Sequence, residues 1–375
     1  VSTGAALGSN VARLFHMNAK TRMLLIGCAT SGAISSMFNA PVAAIVFAIE
    51  IFILDLVFAS LVPLLLASIA AVITSYFFRG TDVLFSFELL DAWRVKDIVF
   101  YVLLGLATGI ASVYFSKMYF LITRFFSRFS NAYIKIGIAA IAIGFMLYLF
   151  PPLYGEGYGL INNLLNGKTE AALSGIQYQI DFNNIWMVIV ILLIIAVFKA
   201  IAMTTTFAAG GVGGIFIPTL FMGSALGNAV AKAINQFGFE VSEANFTLIG
   251  MTGLMAGVLH APLTAIFLIA EITGGYDLFV PLMLVATISF GFTKYFVPNS
   301  IYTAELAKRG ELITNDKDKN ALMMLNIDRV IETNFIKIST EMTLGEMLRK
   351  GVSKSSRNIF PVVDEAEQFL GIVLL

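Results

Sequence analysis

Cysteine is almost missing from this chain of 375 residues. Cys28 stands alone in an apolar stretch, so no disulfide framework exists. Only two histidines occur, His16 and His260, far apart, and no metal-ligand spacing is present. There is no Ser/His/Asp set and no Gly-rich loop followed by Lys-Ser/Thr, so the sequence gives an enzyme no support. Charge is scarce as well. Charged residues make up 13% of the chain and their formal sum is zero, which offers nothing to nucleic acid. Initiator methionine and signal peptide are both absent, and the sequence reads as cut at both ends.

What fills the space is apolar. Hydrophobic residues form 58% of the chain and mean hydropathy is +0.86, as expected of a polytopic membrane protein. The charge is unevenly placed: residues 301–375 hold close to half of it. A membrane domain over 1–310, a hydrophilic linker over 311–324 and a small soluble domain over 325–375 are therefore expected. Helical runs are expected over Leu24–Met37, Ala40–Phe52, Leu56–Phe78, Asp97–Ile122, Ile134–Leu149, Ile185–Ala202, Phe216–Ile234, Phe246–Val258, Ala261–Ile272 and Leu278–Tyr295. Several are too short to cross a bilayer of roughly 30 Å alone. Short, interrupted helices in matched positions mark repeat-built transporters with a site at the midplane.

A repeat is visible. Asn39–Ile51 (NAPVAAIVFAIEI) aligns without gaps on His260–Ile272 (HAPLTAIFLIAEI), with six of thirteen positions identical. Gly4–Gly8 aligns on Gly223–Gly227 at nearly the same offset. The alignment alone leaves parallel and inverted repeats open. It also puts the first repeat's partner to Pro218 two residues before Val1, so half of the expected site would precede this chain.

The chain is organised around the glycine break Gly210–Gly214, after the apolar run Ile185–Ile201 and before the helix start Ile215–Phe216–Ile217–Pro218. Proline suits a first helical turn, whose amides lack partners in any case. A helix starting at membrane depth aims free N–H groups and a positive dipole end into whatever cavity it faces, and the simplest guest is an anion. Glycines in membrane helices also serve as packing contacts. The amides around Gly214, Ile215, Phe216 and Ile217 are the candidate ligands, with the Phe216 ring as wall. Tyr302 follows the last apolar run: it is either a phenolic anion donor or an interfacial belt residue. Glu50 and Glu271 are equivalent by the repeat and serve either proton transfer or structure near the interface. Lys199 can hold loop carbonyls, add positive potential near the site, or snorkel.

These residues together resemble the CLC family of chloride channels and chloride/proton antiporters. The resemblance rests on Gly213–Pro218 (GGIFIP), Asn39–Pro41 with Glu50, Ala261–Pro262 with Glu271, Gly155–Tyr158 (GEGY) and Tyr302 in IYTAELA, over residues 1 to about 310. It implies an all-α, inverted-repeat, multi-pass membrane fold and a homodimer with one anion pathway per subunit. The amides of Ile215 and Phe216 and the hydroxyl of Tyr302 would line its chloride site. A serine and a gating glutamate of the family would precede Val1. Antiporters of the family carry a second, proton-relaying glutamate where Ile51 stands, which tilts the expectation toward a passive or gated chloride channel, with the antiporter as the alternative. A membrane sensor without transport, or another anion such as fluoride or nitrate, are further readings. The tail resembles the first half of a CBS pair, a cytoplasmic α/β module able to take an adenine nucleotide. No other cofactor is implied. The partners are chloride, the bilayer and a second subunit, and the setting is a membrane, the cell membrane if the source is bacterial.

Overall fold

The computed structural model describes residues 1–52, 58–80, 85, 92–178, 180–309, 331, 335–355 and 358–375. The expected linker therefore falls outside the described residues, as does part of the expected tail domain. The chain divides into two compact units, residues 1–309 and 310–375.

The first unit is helical: α1 (Ser2–Leu14), α2 (Ala19–Phe38), α3 (Pro41–Phe52), α4 (Phe58–Arg79), α5 (Ile98–Ser127), α6 (Ala132–Leu149), α7 (Tyr158–Leu165), α8 (Thr169–Ala172), α9 (Ile185–Ala208), α10 (Phe216–Gln236), α11 (Glu243–Leu259), α12 (Pro262–Ile272), α13 (Phe279–Phe296) and α14 (Ala304–Arg309). Five segments among the described residues are long and apolar enough to span: Ala59–Phe78, Val95–Ser127, Ala132–Leu149, Ile185–Ala208 and Phe279–Phe296. Against them stands α11, 17 residues with 15 of them buried, a helix wholly inside the protein.

Several helices outrun the apolar pattern, and α2 starts five residues early, at Ala19, where the Asn18 side chain accepts from the Thr21 amide. Past Ala202, α9 continues to Ala208 through a threonine run, in which the Thr204 and Thr206 hydroxyls find partners inside the helix, donating to the carbonyls of Ala200 (2.7 Å) and Ala202 (2.9 Å). At its far end α5 takes in Arg124 and Ser127, polar residues that close the last turn. The start of α11 is hidden by Glu243 and Asn245, and is fixed by Ser242, whose side chain accepts from the Asn245 amide. The short α8 and α14 carry no apolar run to announce them.

The repeat is present in three dimensions. In α1, a Cβ on Gly4 would sit 2.7 Å from the Ala29 carbonyl oxygen of α2, and one on Gly8 2.8 Å from that of Leu25. In α10, Gly223 faces the Gly250 carbonyl of α11 at 2.5 Å by the same measure, and a Cβ on Gly227 would overlap the Phe246 carbonyl. The matched glycines are thus matched backbone contacts between successive helices. Asn39 and His260 close α2 and α11 in the left-handed region, at φ 54 and 56. Each turn hands over to Ala-Pro and a new helix, α3 or α12.

In the second unit β2 (Ile359–Val363) pairs antiparallel with β3 (Phe369–Leu374), as the acidic turn between them predicts. A short strand that the sequence did not announce, β1 (Ile338–Ser339), pairs parallel with β2. Helix α15 (Leu344–Lys350) opens on a capping box, Thr343 with Glu346. Ile338, Met347 and Phe360 form the small core.

Candidate functional site

Helix α9 ends at Ala208, and Gly210 turns the chain at φ +98. Gly211–Gly214 are exposed, and Val212 is fully so. Then the chain dives: Ile215, Phe216 and Ile217 are buried. The break therefore joins an open loop to a buried helix start. First-turn amides have no acceptor within their own helix, so those of Phe216 and Ile217 point back along the axis toward the break. The start is held from inside by Thr219, whose hydroxyl donates to the Phe216 carbonyl at 2.6 Å and whose amide donates to Ile215 at 3.1 Å.

The Phe216 ring is clamped. It meets Phe47 of α3 edge-on at 5.1 Å between centroids and Phe38, the last residue of α2, at 6.4 Å. A clamped ring is a wall and leaves the amide as the polar group on offer. Sequence reading missed this pair, although Phe38 and Phe47 flank the Asn-Ala-Pro break, where the first repeat must turn.

Tyr302 is half-buried against the main core. Burial, with the Tyr119 phenol beside it, pushes its phenol above the ordinary value, so it remains a neutral donor. The Tyr119 ring lies 6.3 Å from that of Phe207, and Phe207 comes within 3.5 Å of where a Cβ on Gly213 would sit. Tyr302 and the glycine break are thus linked through Tyr119 and Phe207, two aromatic residues the sequence did not flag.

Glu50 and Glu271 make one arrangement twice. Glu50, near the end of α3, accepts from the amides of Leu263 (3.0 Å) and Thr264 (2.8 Å) and from the Thr264 hydroxyl (2.5 Å), in the first turn of α12. Glu271, near the end of α12, accepts from the amides of Val42 (3.0 Å) and Ala43 (2.7 Å), in the first turn of α3. Each carboxylate caps the other repeat's helix, where orphan amides and the dipole favour negative charge. Equivalent helices that cap each other end to end run antiparallel, so the repeats are inverted. Ile51, next to Glu50, is partly buried in the main core and has no group to ionise.

Lys199 holds loop carbonyls. Its Nζ donates to Leu153 (3.1 Å) and Gly155 (2.8 Å), and sits 4.4 Å from the centre of the Phe221 ring of α10. The Gly155–Tyr158 stretch is tied to the second repeat by this buried cation. Among the described residues no cluster of His, Cys, Asp and Glu has the makings of a metal site.

A family model for voltage gated chloride channels matches residues 1–294. The chain belongs to the CLC family. Among curated CLC relatives, the H(+)/Cl(-) exchange transporter ClcA of Vibrio cholerae is 27% identical over 81% of this chain and 63% of its own length. The voltage-gated ClC-type chloride channel ClcB of Salmonella typhimurium is 25% identical over 81% of this chain and 69% of its own. The chain thus spans about two thirds of the curated relatives it matches. Among solved structures, a slow cyanobacterial Cl-/H+ antiporter aligns at TM-score 0.66 and 22% identity, over 82% of this chain and 69% of that one. A CLC-type fluoride/proton antiporter aligns at 0.62 and 22%, over 80% and 70%. At that identity the likeness shows the CLC fold, a multi-pass helical membrane architecture.

Proposed function

We propose that this chain carries chloride across a membrane through a CLC-type pathway, in exchange for protons. One observation carries the anion reading. A helix start with orphan amides opens from an exposed glycine break and is fixed by a clamped aromatic ring. Amides bind an anion without a full positive charge, so the ion can leave again. Gly214, Ile215, Phe216 and Ile217 supply that end of the site, and Tyr302 supplies a neutral hydroxyl. Support for exchange comes from relatives: ClcA is named an exchanger, and two structural neighbours are named antiporters. Ile51 favours the second reading, a passive channel like the one ClcB is named for. Neither Glu50 nor Glu271 takes over the relay in this reading, because their oxygens are engaged on helix amides.

The test is to reconstitute the full-length protein that contains this chain in liposomes and follow chloride and pH together under a chloride gradient. Protons driven uphill in fixed ratio to chloride are expected. Chloride flux with no coupled protons establishes the channel instead, and absence of anion flux removes the transport reading. The family resemblance further supports a homodimer and a cytoplasmic CBS-like tail with an adenine-nucleotide site.

A further inference from the structure

The beginning of α9 and the end of α10 meet at one level of the membrane domain. Trp186, the second residue of α9, is 47% exposed, and its ring lies 6.0 Å from that of Phe237, just past α10. Exposed amphipathic rings at the ends of apolar helices mark the boundary between hydrocarbon and water. A surface cavity of about 510 Å³ opens at this level, lined by Gly167–Ala171, the start of α9 and Lys232 of α10.

The lining has two characters. Phe182, Ile185 and Val188 form an apolar wall that runs into the first turn of a 24-residue spanning helix. Lys168, Glu170 and Lys232 form the polar side. Lys232 is held in place, its Nζ 2.6 Å from the Glu243 carboxylate. An ammonium has three N–H groups, so two remain for a ligand. Counting Glu243, the site carries two cations and two carboxylates. A bare anion would meet as much repulsion as attraction there, and would leave the apolar wall wet. A headgroup with both a phosphate and a primary ammonium satisfies both signs, and its glycerol and acyl chains cover the wall.

We propose that this cavity holds a phospholipid of the ethanolamine class, its phosphate between Lys168 and Lys232, its ammonium at Glu170 and its chains along Phe182, Ile185 and Val188. A choline head has no N–H to give Glu170, and a glycerol head brings no positive charge to it. The proposal is independent of whether the pathway exchanges protons.

Native mass spectrometry of the purified protein, delipidated and then mixed with equal phosphatidylethanolamine, phosphatidylcholine and phosphatidylglycerol, reads this directly. Ethanolamine lipid is expected to be retained roughly two- to fivefold over choline lipid, the scale of a partly exposed charge pair. Glu170→Ala should abolish that preference while total phospholipid stays the same. Lys168→Ala should lower retention of all three lipids, and Lys20→Ala, an exposed lysine elsewhere, should change nothing. Equal retention of ethanolamine and choline lipid, preference for phosphatidylglycerol, or indifference to both cavity substitutions overturns the proposal. Free phosphoethanolamine that displaces the lipid completely at equal concentration also overturns it, because the chains would then contribute nothing.

Discussion

At the scale of single residues the proposed site rests on withholding charge. Lys199, the buried cation nearest the α10 face, is spent on the carbonyls of Leu153 and Gly155. In the proposed site, what faces the anion is amide and phenol. Tyr302→Phe keeps the ring in its half-buried place and removes the donor alone. A hydrogen bond to a charged group is worth about 1.5–3 kcal/mol, so chloride should bind roughly ten- to hundredfold more weakly. Calorimetric titration of chloride into the detergent-solubilised variant measures it, and an unchanged Kd with an unchanged melt takes Tyr302 out of the site. These candidates were legible because they break local rules: a proline in a first turn, four glycines in five residues, carboxylates and a lysine inside apolar runs. The clamp on Phe216 was not legible. Phe38 and Phe47 obey every rule for an apolar helix, and only their meeting in space gives them a task.

At the scale of elements, helix existence was legible and helix ends were less so. Apolar periodicity finds the body of α9 and α11, but a threonine run hides the end of the first, and a polar capped turn begins the second. Caps with a full signature are the exception, and α15 shows why. Thr343 and Glu346 stand three apart before an apolar turn, and both halves of the box form. The Thr343 amide, first among several contacts, holds the Glu346 carboxyl below its ordinary value of 4.5. A carboxyl depressed in the folded state stabilises the helix fully above the unfolded value, and that contribution fades as pH falls through the folded one. Amide exchange over residues 344–350 of the whole protein, corrected for intrinsic rates, should therefore lose protection as the pH drops below about 4.5. Thr343→Ala should lower protection at neutral pH and flatten that dependence. A pH profile identical in both proteins means that the box contributes nothing.

At the scale of the whole molecule, two repeats are fastened by the same bond used twice. An alignment could show that Glu50 and Glu271 are equivalent, but not that each reaches the other's helix, since that contact spans more than 200 residues. The clasp has a consequence for the site. Glu271 caps α3, and α3 carries Phe47, which sets Phe216 against the start of α10. Both caps close one α3–α12 contact, so they should couple. Either substitution alone, Glu50→Ala or Glu271→Ala, leaves two helix amides without their carboxylate, at a cost of about 1–3 kcal/mol. Once one cap is gone the helices separate more easily and the other has less to hold. The double variant should then cost less than the two single costs together, by about 0.5 kcal/mol or more. Reversible unfolding in detergent gives all four corners of this cycle. Strict additivity means that the caps act on their own helices alone and that the repeats are joined elsewhere. A sub-additive result, with chloride affinity weakened more by Glu271→Ala than by Glu50→Ala, ties the clasp to the anion site through Phe47.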